Sequence, residues 1–183
     1  MLIATLVSNN DELEQIHDLN RKNLKQNVAK EEQKEQGFVT WLYPLPLLKQ
    51  LHQQAPSVIV KHNHKVVGYA LSALKESRSF HPDLDNFFKN LDSIVYLGKP
   101  FNEHKFYCMG QICIDQAYRG KGVFQMLYQK HKQVYSSSYD FLLTEISTSN
   151  FRSLHAHYKI GFVRVFTYKD KVDEWDVVVW PWK

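Results

Sequence analysis

The sequence predicts a mixed α/β fold in a single domain of 183 residues. Three observations carry that expectation. "SVIVKHNHKVVGYALSAL" sets two runs rich in valine and isoleucine around a polar turn, the pattern of a β-hairpin. Residues 105–147 read as strand, helix and strand, a unit that builds a parallel pair. Two helical patterns precede the hairpin and two strand-like runs end the chain, so neither class dominates.

The elements follow in order. "LIATLV" is a short apolar strand. In "NNDELEQIHDLNRKNLKQN", Asn10 is placed to cap a helix whose first turn is acidic, with Leu13, Ile16 and Leu19 inward. "AKEEQKEQG" is a charged connection ending at Gly37. "FVTWLYPLPLLKQLHQQ" is aromatic, then helical after Pro46. The hairpin turns at Asn63, and His62 and His64 bracket that turn as exposed side chains. Ser77 to His104 is an insertion with a short helix from Pro82 and then loop. "KFYCMGQICID" is a strand. A helix starts near Arg119 or Gly120, with Val123, Met126, Leu127 and Val134 inward. "YDFLLTEIS" is the next strand. The helix after it runs from the cap Asn150 to Gly161, with Leu154 and Tyr158 on one face. "FVRVFTYK" and "EWDVVVW" are the closing strands.

Composition narrows the function classes. The content is 44% hydrophobic and 14% aromatic, that of a folded core. No apolar run is long enough to cross a bilayer, and the start turns acidic at once, so a cytoplasmic protein without membrane attachment is expected. A net charge of +4 is too mild to propose nucleic acid, and it suits a polyanionic small ligand and a plain soluble surface equally well. Cys108 and Cys113, five residues apart on one strand, fall on opposite faces and read as free thiols. The nine histidines show no zinc spacing, so no metal is expected.

"QAYRGKGVFQMLYQKHK" sets Gly120 and Gly122 with Arg119 and Lys121 at a helix start. A helix start leaves amides unpaired and carries partial positive charge, and glycines let an anion reach them. This is phosphate-binding chemistry, although a plain glycine turn with solvated lysine and arginine has the same appearance. The Walker spacing fails, because no Ser or Thr follows Lys121. The dinucleotide fingerprint fails as well, because its third glycine is Gln125.

Arg119-Gly120-Lys121-Gly122-Val123-Phe124 resembles the acyl-CoA turn Q/R-x-x-G-x-G/A of the GNAT superfamily of acyl-CoA-dependent N-acyltransferases. "NFRSLHAHYKIGF" resembles that family's second signature, with Asn150, Ser153, Gly161 and Phe162 in register. His157 stands at the family's tyrosine position and Tyr158 follows one residue later. The last position of the turn is Phe124, where a small residue is usual. The resemblance covers most of Ser57 to Trp180.

The resemblance implies a mostly antiparallel sheet of about six to seven strands flanked by helices, with strands four and five parallel and splayed. It implies acetyl-CoA as cosubstrate. Pantetheine would run along Ile112, Cys113 and Ile114, and the pyrophosphate would rest on Arg119, Gly120, Lys121, Gly122, Val123 and Phe124, near Asn150 and Ser153. The acceptor would be a primary amine of a small molecule or peptide. Tyr158 and His157 are the candidate general acids, and Glu145 is the first candidate base. Phe38, Trp41, Tyr43, Phe80 and Phe87 are candidates to line the acceptor pocket. A non-catalytic acyl-CoA sensor of the same fold is the alternative, and a homodimer is left open.

Overall fold

The computed structural model describes residues 1–29 and 38–183. The charged connection expected over 29–37 lies, beyond Ala29, outside the described residues. The strands are β1 (Leu2–Leu6), β2 (Val58–His62), β3 (Lys65–Ala73), β4 (Val95–Tyr96), β5 (Lys99–Pro100), β6 (Phe106–Ile114), β7 (Phe141–Ser147), β8 (Val163–Lys169) and β9 (Glu174–Pro181). The α-helices are α1 (Asn10–Lys22), α2 (Leu45–Gln54), α3 (Pro82–Asp92), α4 (Val123–Tyr135) and α5 (Phe151–Ile160).

Seven strands form one sheet in the order β1-β2-β3-β6-β7-β9-β8. Its pairs are antiparallel except β6 with β7, the fourth and fifth strands of that sheet in chain order. Both faces are covered, so the central strands are apolar on both sides rather than alternating. Leu13, Ile16, Leu48 and Phe88 from α1, α2 and α3 pack with Ile59, Tyr69, Leu71 and Val177 on one face. Leu127, Tyr128 and Leu154 from α4 and α5 pack with Val58, Val60, Met109 and Val178 on the other.

The cap of α1 is Asn9 rather than Asn10. A cap needs extended backbone, and Asn9 has φ −154°, with its side chain accepting from the Glu12 amide at 3.0 Å. Glu12 in turn accepts from the Ser8 amide at 2.7 Å and pairs with Lys61 at 2.7 Å. In the inserted segment, α3 starts at Pro82 as expected. The part read as loop contains the small β4–β5 hairpin, which turns at Leu97 and Gly98 with φ of 50° and 79°.

The two cysteines do not lie on opposite faces. Strand pairing between β3 and β6 shifts register between Ala70 and Ser72, opposite Met109 to Ile112. The bulge sends Gly110 and Gln111 to the same face, toward Tyr43 and Tyr69. Alternation therefore inverts along β6, and Cys108 and Cys113 both join the core under α1 to α3 as free thiols.

Helix α4 begins at Val123, with Gly122 as its cap. Its buried stripe is Val123, Leu127, Tyr128, His131 and Tyr135, while Met126 and Val134 are only partly covered. Hydropathy misplaces the stripe because tyrosine and histidine go inward once their polar atoms are paired. Tyr128 hydroxyl donates to His157 Nε2 at 2.5 Å, Tyr107 hydroxyl to His131 Nδ1 at 2.8 Å, and Tyr135 hydroxyl to the Pro56 carbonyl at 2.6 Å.

Candidate active site

The parallel ladder is short. Phe106, Tyr107 and Cys108 pair with Phe141, Leu142 and Leu143, and there the ladder stops. Thr144 Oγ1 donates to the Met109 carbonyl at 2.9 Å where the strands part. Beyond that point each strand stays paired on its outer side, β6 to β3 as far as Ile114 and β7 to β9 as far as Ser147. A groove therefore opens between β6 and β7. It has two chambers, of about 280 and 730 Å³, that share Phe38, Val39, Ile112, Asn150 and Ser153.

The smaller chamber is the electropositive end. Ile112, Cys113, Ile114, Arg119, Gly120, Gly122, Val123, Phe124, Asn150 and Ser153 all line it. Gly120 and Gly122 have φ of 73° and 78°, backbone that side chains resist. Nothing lies within 4 Å of a Cβ built at either glycine, so the space over them is open. Gly122 offers α4 no side-chain cap, which leaves the first helical amides to a ligand or to water. The neighbouring α5 is different, because Asn150 Oδ1 accepts from the Ser153 amide at 3.2 Å. A phosphate group fits the α4 end on these grounds.

Arg119 is tied into the turn. Its Nε donates to the Ile114 carbonyl at 3.1 Å and an Nη to Asn23 Oδ1 at 2.6 Å. Lys121 is exposed and outside the lining, with its ammonium 5.4 Å from the ring centre of Tyr118, which does line the chamber. Phe124 packs edge-on against Tyr128 and His157, at 5.0 Å each, and presents the rest of its ring to the groove. Burial pushes the Cys113 thiol up to about 12, so it is a neutral wall residue.

The larger chamber holds the candidate base. Glu145 lines it, and burial pushes its carboxyl up to about 7, against the opposing pull of a short hydrogen bond from Tyr168 hydroxyl. Phe38, Trp41, Tyr43 and Phe87 line the same chamber. Phe80 does not line it, although it packs against the same core as Trp41 and Phe87. The Trp41–Tyr43 wall is fixed to its surroundings. Gln111 Nε2 donates to the Trp41 carbonyl at 2.8 Å, Asn20 Nδ2 to the same carbonyl at 3.0 Å, and Tyr43 hydroxyl to the Gly110 carbonyl at 3.2 Å.

His157 and Tyr158 part company. His157 is fully buried, lines the larger chamber, and donates from Nδ1 to the Ser153 carbonyl at 2.7 Å. Burial lowers its pKa to about 4, so the ring is neutral. Tyr158 is 42% exposed and lines neither chamber. The inward face of α5 is Leu154 with His157, three apart, which turns Tyr158 away. The expected Leu154–Tyr158 face is thereby corrected.

Sequence reading missed Asn90, Gln111 and Tyr168. Each acts through a partner distant in the chain, Tyr168 on Glu145 and Gln111 on Trp41, so no local spacing marks it. Among the described residues, no group of three or more His, Cys, Asp or Glu could hold a metal ion. No helix among them is long and apolar enough to cross a membrane.

The sequence model of the acetyltransferase (GNAT) family matches residues 13–162. No curated protein matches in sequence. Among solved structures, the chain is similar to the ribosomal-protein-S18-alanine N-acetyltransferase from Escherichia coli, at TM-score 0.66 and 10% identity, covering 99% of this chain and 94% of that one. It is similar to Ard1 from Thermoplasma volcanium at TM-score 0.64 and 15% identity, covering 97% and 95%. A chain of the NatC complex bound to Gag peptide and CoA gives TM-score 0.67 and 12% identity, covering 100% and 99%. At these identities the likeness is one of fold.

Proposed function

The chain belongs to the GNAT family of acetyltransferases, and we propose that its groove carries an acetyl group from acetyl-CoA to a primary amine of a small molecule or peptide. One observation supports this above the others. A single groove joins an uncapped helix start over two left-handed glycines to a carboxyl poised near neutral pH. The NatC complex, one chain of which shares this fold, was solved bound to both a peptide and CoA, which favours keeping a peptide amine in the acceptor class.

Acetyl-CoA supplies an activated thioester. The amides from Gly120 to Phe124 receive its pyrophosphate, and the open edge of β6 over Ile112, Cys113 and Ile114 takes the pantetheine. An amine is protonated at neutral pH and attacks only after losing a proton. Glu145 takes that proton, since a carboxyl near pH 7 is part ionised and still basic. A β6 amide past the bulge stabilises the developing oxyanion, a contact worth about 2.7–4 kcal/mol in other enzymes. Phe38, Trp41, Tyr43 and Phe87 form the acceptor wall. Of the two general-acid candidates, His157 lines the groove and Tyr158 does not, but a neutral ring that donates from Nδ1 to Ser153 and accepts at Nε2 from Tyr128 has no proton free for the leaving thiolate, so this scheme uses His157 as a wall of the groove.

The test is release of CoA thiol across a panel of small amines and short peptides, with wild type and Glu145→Gln. Wild type should release thiol with at least one acceptor, and Glu145→Gln should lose about 10²-fold or more in kcat. Full activity in Glu145→Gln removes the base from this scheme. Acetyl-CoA binding without turnover on any acceptor would point instead to a sensor.

A further inference from the structure

The inserted segment touches the chemistry through a chain of hydrogen bonds. Asn90 Nδ2, in the last turns of α3, donates to Tyr168 hydroxyl at 3.3 Å. Tyr168 hydroxyl donates to Glu145 Oε2. Tyr168 and Glu145 are not on neighbouring strands, because β9 lies between β7 and β8. Two strand spacings are roughly 9–10 Å, a span that the tyrosine and glutamate side chains bridge together across β9, where Glu145 pairs with Val177 and Tyr168 with Trp175. The phenol thus ends on one carboxylate oxygen while α3 fixes its other side.

We propose that Tyr168 and Asn90 are positioning residues for Glu145, and that α3 of the inserted segment thereby belongs to the catalytic apparatus. This rests on Glu145 as the base. A carboxylate with one oxygen held by Tyr168 turns its other oxygen toward the groove. A donor to the charged form also makes ionisation easier. Asn90 sharpens the effect by donating to the phenol oxygen, which makes the phenol the better donor.

The other groups that bear on Glu145 come from every side of the chamber. They are Tyr43 before α2, Cys108 on β6, His157 on α5, Asp170 and Lys171 after β8, and Asp83 and Lys89 on α3, of which His157 stays neutral. Burial pushes the Tyr43 hydroxyl and Cys108 thiol up, so both stay neutral across the working range. Asp170 opposes ionisation of Glu145. Tyr168 is the hydrogen-bond donor to it.

The experiment is a carboxyl-carbon NMR titration of Glu145 in the full chain, run on wild type, Tyr168→Phe and Asn90→Ala. It needs no acceptor. Tyr168→Phe should raise the midpoint by on the order of one pH unit, from the loss of a hydrogen bond to a charged group. Asn90→Ala, on an exposed residue, should raise it by a smaller amount. With the best amine of the panel, the rising limb of kcat/KM should move alkaline by the same shift in each variant. A purely structural role would lower the rate evenly at all pH and leave both midpoints in place, and that result overturns the proposal. If instead the midpoints move but Glu145→Gln keeps full activity, the assignment of the base fails and with it the catalytic role of α3.

Discussion

In the proposed reaction Glu145 and Gly122 stand at the two ends of the groove, and each can be tested alone. Glu145 ionises near 7 in the fold and near 4.5 in an unfolded chain. Between those values the native state holds the extra proton, so native stability falls as pH rises and the full cost is present above pH 7. Glu145→Gln removes that cost, and its amide oxygen can still accept from Tyr168. The variant should therefore melt no lower than wild type at pH 8 while losing activity, as thermal melts beside thiol-release assays would show. Melting far below wild type would mean that Glu145 is structural. At the other end, Gly122 has φ 78° with open space above it. Gly122→Ala puts a methyl in that space and strains the turn by roughly 1–2 kcal/mol. Losing one charge-assisted bond to the pyrophosphate should raise the acetyl-CoA Kd about ten- to a hundredfold by calorimetry. An unchanged Kd would place the phosphates elsewhere.

At the scale of elements, strands and helices were largely legible, because apolar runs of the right length bounded by Asn, Gly and Pro determine them locally. Hairpin β2–β3, the start of α3 at Pro82 and the end of α5 at Gly161 all follow from such signals. What was hidden depends on pairing between strands. The bulge at Gly110 and Gln111 moved Cys113 to the face of Cys108, and the local sign of it in "FYCMGQICID" is the single glycine inside the strand. The inward turn of His131 and His157 was hidden because each is satisfied by a tyrosine from another element, Tyr107 on β6 and Tyr128 on α4. Those two histidines predict acid sensitivity. Burial lowers both to about 4 from 6.5, so the unfolded chain binds more protons between those values and stability falls as pH falls. Each contributes a loss of about 3 kcal/mol by pH 4, and Glu145 returns a similar amount at most over its own window. The expected outcome is a net fall in Tm between pH 6.5 and 4. A flat profile would mean that the histidines are reached by solvent.

At the scale of the whole molecule, the site exists because one sheet fails to close. β6 and β7 part after Cys108 and Leu143, and α4 and α5 both start at the edge where they part. The paired glycine turn and second helix in the sequence pointed to this arrangement. The larger chamber was only partly legible, since the sequence offered Trp41 and Phe87 as lining candidates but Asn90, Gln111 and Tyr168 reach it across the fold. A ligand spanning both chambers should tie the two halves of the sheet together. Acetyl-CoA at 100 times its Kd should add about 2.7 kcal/mol. For a chain of this size that is a rise of roughly 5–11 °C in Tm. The most direct test is a crystal structure with acetyl-CoA bound. Pantetheine should lie between β6 and β7, pyrophosphate oxygens should sit on the amides from Gly120 to Phe124, and the thioester should face the chamber that holds Glu145. Coenzyme bound on another surface, or lying in the groove with its thioester turned away from Glu145, would contradict this assignment of the site.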